Sequence, residues 1–124
     1  MKTAVIYSRV SSTTDRQSTT RQVNDLTSYA KSSKLDVLKV YEEKISGVKK
    51  NAERQILQDC LDFCITNKTD VLLVSELSRL GRNTFELIAT VQLMIENKIN
   101  IFFQKEQIFL LDENGKPSLI TPIL

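Results

Sequence analysis

The chain has 124 residues, 41% hydrophobic and 26% charged, with 17 basic against 15 acidic side chains and a net charge of +2. Those proportions suit one globular domain with its own core and are too balanced for bulk charge to mark a nucleic-acid partner. The absence of histidine excludes a Ser-His-Asp triad, a His-activated cysteine and a His-ligated zinc, and two cysteines do not complete a structural zinc site. No apolar run reaches the roughly 20 residues that cross a bilayer, and the apolar stretch at the N-terminus is too short for a signal peptide. The expectation is a cytoplasmic protein.

Thr3-Ala4-Val5-Ile6-Tyr7 is apolar and β-branched and reads as a buried first strand. The polar segment Ser11 to Gln17 reads as a loop. From about Thr19, Val23, Leu26 and Ala30 fall at helical spacing, and Lys31-Ser32-Ser33-Lys34 ends that helix. Leu35, Val37, Leu38 and Val40 mark a second strand from Leu35 to Tyr41. Glu42 to Glu53 is charged, holds Gly47 and lacks apolar periodicity, which predicts a mobile loop. Ile56, Leu57, Cys60, Leu61 and Cys64 recur at helical intervals. Val71-Leu72-Leu73-Val74 predicts a third buried strand, and Ser75 to Arg82 a connection. Asn83 suits the N-cap of a further helix, with Glu86 as its capping-box partner and Leu87, Ile88, Val91, Met94 and Ile95 on the apolar side. Asn100 to Phe103 reads as a fourth strand, Ile108 to Leu111 as a short extra one, and Asp112 to Gly115 as a turn.

This alternation of strands and helices predicts an α/β domain: a mostly parallel sheet of four or five strands with helices on both faces. The apolar end, Ser118 to Leu124, reads as the start of a helix cut short. The expected division is therefore a domain over residues 1–116 and a truncated helix over 117–124.

In open parallel sheets, ligands bind beyond the carboxyl ends of the strands. Three segments reach that edge in the expected fold. Tyr7-Ser8-Arg9-Val10-Ser11-Ser12 follows the first strand, the loop ending at Arg54 follows the second, and Ser78-Arg79-Leu80-Gly81-Arg82 follows the third. Arg9, Arg54, Arg79 and Arg82 are thereby brought to one rim. Like charges repel, so such a cluster calls for an anion between them. Arg79 and Arg82 precede a helix N-terminus, where cations oppose the dipole but where a phosphate binds readily. The guanidinium fork suits a phosphate and stays protonated. Ser11 is the candidate nucleophile; phosphoryl transfer rests mainly on positioning and charge neutralisation, and arginines are the electrophiles this chain has to offer. The plainer reading makes each arginine a solvated surface residue and Ser8, Ser11, Ser12 and Thr13 turn residues.

Tyr7-Ser8-Arg9-Val10-Ser11-Ser12 resembles the first signature of the serine recombinases, the resolvase and invertase group. Ser78-Arg79-Leu80-Gly81-Arg82-Asn83 resembles the second. Arg54, after the Ser46-Gly47 loop, is similar to the family's third active-site arginine, and Gln22 falls where the family has a supporting glutamine. The ordered match runs from Tyr7 to about Gly115. The resemblance implies a resolvase-like catalytic domain in which Ser11 attacks a phosphodiester of double-stranded DNA and becomes linked to the 5′ phosphate. Arg9, Arg79 and Arg82 bind the phosphate, while Arg54 and Gln22 assist positioning. It implies no metal and no cofactor, and subunits that pair as homodimers and act as a tetramer in the synaptic complex. One departure is Ser78, where some members carry an aspartate. Dimerisation and DNA-binding regions would lie beyond Leu124.

Other classes remain in view on the residues alone. A hydroxyl-rich loop after a first parallel strand also cradles flavin-nucleotide phosphates, although the later loops lack aromatic residues to flank a flavin ring. A silent recombinase-like domain that only assembles with partners is a further alternative. Cys60 and Cys64, one turn apart, read as core residues rather than a redox pair. Phe102 and Phe103 read as packing rather than base stacking. Lys49-Lys50 reads as a DNA-backbone contact or a solvated pair.

Overall fold

The computed structural model describes residues 1–10, 19–45 and 53–118. Strand β1 spans Thr3–Val10, helix α1 Thr20–Ser32, β2 Asp36–Lys44, α2 Gln55–Thr66, β3 Val71–Val74, α3 Thr84–Glu96, β4 Asn100–Phe103 and β5 Ile108–Phe109. A single turn of 3-10 helix, Leu77–Leu80, lies between β3 and α3. The sheet order is β2-β1-β3-β4-β5, with β5 alone antiparallel. The α/β architecture expected from the alternating pattern is the one observed.

Strand periodicity divides the core between the two faces. Val5, Tyr7, Leu72, Val74, Ile101 and Phe103 pack with Leu57, Cys60, Leu61 and Cys64 of α2 and with Val91 and Met94 of α3. Ala4, Ile6, Leu73 and Phe102 turn the other way, onto Leu26 and Ala30 of α1. Both cysteines are buried in this core as free thiols. The hydrogen bond it shares with Cys64, and then burial, push the Cys60 thiol pKa up, which suits an inert core residue.

Two boundaries differ from expectation in a way that moves polar residues into the sheet. β1 continues three residues beyond Tyr7, so Ser8, Arg9 and Val10 are strand residues rather than the start of a loop. They stay in the sheet because β2 remains alongside, pairing Ser8 with Glu42, Arg9 with Glu43 and Val10 with Lys44. By the same pairing Glu42, Glu43 and Lys44, expected in a mobile loop, are strand residues; most of the rest of that expected loop, residues 46–52, lies outside the described residues. A bulge in β2 leaves Leu38 between the partners of Ala4 and Val5. The extra residue reverses which side chains face which helix. Val37 packs on the α1 side, whereas Tyr41 packs on the α2 side, and Glu43 follows Tyr41.

Each long helix stops in the same way. Lys34, Lys68 and Lys98 take positive φ just past α1, α2 and α3. In each case the next residue's N–H returns to a carbonyl in the last turn: Leu35 to Ala30, Thr69 to Cys64 and Ile99 to Met94. These Schellman closures turn the chain back toward the sheet and satisfy carbonyls the helix leaves open. They lie at the end of the sheet opposite the expected arginine rim. The extra strand is shorter than Ile108 to Leu111; Leu111 instead bridges Pro117 across the turn, where Gly115 has φ +76°. Residues 119–124, most of the expected truncated helix, lie outside the described residues.

Candidate active site

Arg9 sits near the end of β1 on the face that Tyr7 shares, toward α2. Its side chain is buried, and Nη1 donates to the Ile45 carbonyl at 3.2 Å. Its Nε is buried with no hydrogen-bond partner among the described residues. Burial, then the charges of Arg54 and Arg79, lower its pKa, while Tyr7 and Glu43 act the other way. The two other guanidinium groups are therefore close enough to be felt.

Gln22 of α1 holds the backbone of Arg9. Its Oε1 accepts from Arg9 N at 3.2 Å and its Nε2 donates to Arg9 O at 2.9 Å. Ser75, just past β3, donates to the same Oε1 at 3.3 Å and accepts from Arg79 Nε at 3.4 Å. One polar chain thus links the end of β1, α1, the end of β3 and Arg79.

Arg54 opens α2 and is 0% exposed. Its Nη1 donates to the Arg79 carbonyl at 3.2 Å, so it grips the backbone of the 3-10 turn that carries Arg79. Near it lies Glu43, only 4% exposed. The Tyr7 hydroxyl donates to Glu43 Oε1 at 2.6 Å, and Ile56 N donates to Oε2 at 3.1 Å. Arg54 offers α2 no side-chain N-cap; Glu43, from the neighbouring strand, supplies the acceptor, and its charge suits a helix N-terminus.

Arg82 points elsewhere. Its Nε lies 3.1 Å from Glu86 Oε1 on the first turn of α3, while Asn83 caps that helix by accepting from Glu86 N at 3.0 Å. Gly81, at φ −174°, lies so close to α3 that a Cβ there would stand 2.6 Å from Leu87 N. Close approach, not an unusual backbone angle, calls for glycine between Arg79 and Arg82. No carboxylate stands at Ser78, but one is at hand: Glu76 Oε1 accepts from Ser78 Oγ and lies 3.7 Å from Arg79 Nη2. The Ser78 hydrogen bond, and beyond it Arg79 and Lys105, lower the Glu76 pKa against the opposing effect of burial.

The described residues thus bring Arg9, Arg54, Arg79 and Gln22 together and pair Arg82 with Glu86. Ser11 lies outside the described residues, as do Ser12, Thr13 and Lys49-Lys50; Val10, the residue before Ser11, ends β1 beside this cluster. Tyr7, Glu43, Ser75 and Glu76 are site neighbours that the sequence reading did not single out. For Glu43 the sequence carries no local signal, since its place on β2 rests on the pairing with β1.

A family model described as Resolvase, N terminal domain matches residues 4–121, and the chain belongs to that family. The catalytic domains of serine recombinases share its fold. The N-terminal catalytic domain of TP901-1 integrase superposes with a TM-score of 0.81 at 31% identity, covering 98% of this chain and 90% of that one. The C-terminal catalytic domain of ISC1926 TnpA, an IS607-like serine recombinase, gives 0.71 at 32% identity over 82% of this chain and 70% of that one. A resolvase from Clostridium perfringens is 35% identical over 82 residues, which is 66% of this chain but 38% of that protein. The chain thus spans well under half of that relative's length. Among the described residues, no helix is long and apolar enough to cross a membrane.

Proposed function

We propose that this chain is the catalytic domain of a site-specific recombinase that cuts and rejoins double-stranded DNA through Ser11. The carrying observation is the gathering of Arg9, Arg54 and Arg79 at the carboxyl ends of β1 and β3, around the strand that leads into Ser11. Three guanidinium groups brought together cost energy unless an anion joins them. The carboxylates of Glu43 and Glu76 offset part of that charge, and an anion bound between the arginines offsets the rest. A DNA phosphate is the anion that membership of this family favours.

In this reading Ser11 Oγ gives up its proton as it attacks phosphorus, and the bond from phosphorus to O3′ breaks, so one proton is released for the one the leaving oxygen gains. The leaving oxygen takes up a proton as a 3′ hydroxyl, and the 5′ phosphate stays on Ser11 as a phosphodiester. The new bond resembles the old one, so the reverse attack by a 3′ hydroxyl needs no external energy source. Arg9, whose Nε has no partner among the described residues, and Arg79 neutralise charge that builds on the phosphoryl oxygens. Arg82 joins them if phosphate draws it from Glu86. Arg54 and Gln22 are positioning residues, acting through the backbones of Arg79 and Arg9. The chain works as a homodimer and as a tetramer in the synaptic complex, in the cytoplasm and without a cofactor.

The test is a covalent adduct. Full-length protein carrying this domain, incubated with duplex DNA bearing its recombination site, is expected to give a protein–DNA species that survives denaturation, and its Ser11→Ala variant none. An adduct undiminished in Ser11→Ala removes Ser11 as nucleophile, and no adduct from wild type favours a domain that only assembles.

A further inference from the structure

A cleft of about 610 Å³ adjoins the arginine cluster, lined by Arg21, Gln22, Ser75, Glu76, Arg79 and Lys105 among others. Its size falls in the range of sites for small ligands, about 300–1,000 Å³. It shares Gln22 and Arg79 with the site described above, and Val10 contributes to its wall. Arg21 comes from the first turn of α1 and Lys105 from just beyond β4, so two distant parts of the chain deliver cations to one opening. Gln104 Nε2 donates to the Asp25 carbonyl at 3.5 Å, tying α1 to the end of β4 across it. Among the described residues that line it, the cations of Arg21, Arg79 and Lys105 outnumber the carboxylates of Asp25 and Glu76.

Glu76 stands between two of these cations. Its Oε1 lies 3.7 Å from Arg79 Nη2 and its Oε2 3.6 Å from Lys105 Nζ. Both pairs are long and partly solvated, and pairs of that kind contribute little. A phosphate entering between Arg79 and Lys105 would meet weak opposition and gain charge-assisted bonds to both.

We propose that this cleft seats the DNA-backbone phosphate next to the cleaved one, held by Arg21 and Lys105, with Glu76 occupying that phosphate's place between Lys105 and Arg79 when DNA is absent. The inference rests on the recombinase reading and adds to it a subsite and a counter-ion.

The test is binding of a short DNA duplex, followed by fluorescence anisotropy across a range of salt concentrations. Arg21→Gln and Lys105→Gln are each expected to weaken binding severalfold and to lower the slope of log affinity against log salt by about 1, as loss of one phosphate contact does. Lys105→Arg should keep the wild-type affinity. Glu76→Gln should bind DNA severalfold more tightly, a gain that misfolding does not produce. Unchanged affinity and slope in both Arg21→Gln and Lys105→Gln, or no tightening in Glu76→Gln, overturns the proposal. The recombinase reading fails separately, through the Ser11-dependent adduct: a protein that forms that adduct yet ignores these substitutions loses only the subsite.

Discussion

The side-chain amide of Gln22 pairs with the backbone of Arg9 as a neighbouring strand would, Oε1 accepting from the N–H and Nε2 donating to the carbonyl. β3 pairs with β1 only as far as Ile6, so the Arg9 peptide groups on that edge have no strand partner. A glutamine reaching across from α1 extends the sheet by one residue and fixes Arg9 in register. Gln22→Ala opens both groups in a partly buried setting, at a cost of about 1–3 kcal/mol. A small displacement of Arg9 is then expected to slow adduct formation between about 10- and 100-fold. Gln22→Glu keeps the acceptor but sets a carboxylate oxygen against the Arg9 carbonyl, so it should do no better. Single-turnover adduct formation and thermal unfolding measure the two effects. A wild-type rate in both variants contradicts the positioning role.

Tyr7 and Glu43 provide the second prediction. Burial first, and then the hydrogen bond to Glu43 and its charge, push the Tyr7 phenol pKa far above the ordinary range, against the opposing pull of Arg54 and Arg9. A pKa raised on folding gives stability that is fully present below the unfolded value, about 10 for tyrosine, and is lost as pH rises beyond it. The protein should thus lose stability above about pH 10, with Tyr7 still un-ionised in the folded protein. Tyr7→Phe removes a hydrogen bond to a buried carboxylate, at about 1.5–3 kcal/mol, and with it that share of the alkaline loss. Denaturant unfolding at neutral and alkaline pH checks both. A Tyr7→Phe protein with wild-type stability and the same alkaline slope would show that the pair contributes nothing.

Much of this was legible in the chain. The odd and even residues of Ala4 to Tyr7 do separate onto two helical layers, and Leu26, Ala30, Leu57, Cys60, Leu61, Cys64, Val91 and Met94 are all buried where helical spacing put them. The rim arginines were legible because chain order places them after successive parallel strands. What local pattern hid was polar residues inside the sheet. Ser8 and Arg9 looked like loop, yet Gln22 and the continuing β2 supply their partners from far along the chain. Glu42-Glu43-Lys44 looked like solvated charge, yet Glu43 is buried because Tyr7 and the N-terminus of α2 share it. Leu35 to Tyr41 read as one alternating strand, which missed the change of phase between Val37 and Leu38. Its consequence, that Glu43 faces α2, depends on the pairing with β1, which no local spacing encodes. Arg82 shows the converse: it reached the right segment, but Glu86, one helical turn on, holds its side chain.

Gly81 joins the arginine segment to α3, and its replacement tests how tightly the two are coupled. A Cβ at this position meets backbone alone: Leu87 N at 2.6 Å, with Glu86 C and Leu87 Cα each at 3.0 Å. Main chain in a capped first turn yields poorly, and the segment is also tied to α3 by Thr90 Oγ1, which donates to the Leu80 carbonyl at 3.3 Å. Gly81→Ala is therefore expected to destabilise by about 1–3 kcal/mol, as overpacking does, and to push the turn bearing Arg79 away from Arg54 and Ser75. Adduct formation should fall by more than the loss of folded protein explains. Gly115→Ala is the matched control. Nothing lies within 4 Å of its added Cβ, but φ is +76°, so it costs about 1–2 kcal/mol of backbone strain far from the arginines and leaves the adduct rate of the folded protein unchanged. Unfolding midpoints together with single-turnover rates separate the two variants, and equal rates in both would show that the packing of this segment on α3 does not position Arg79.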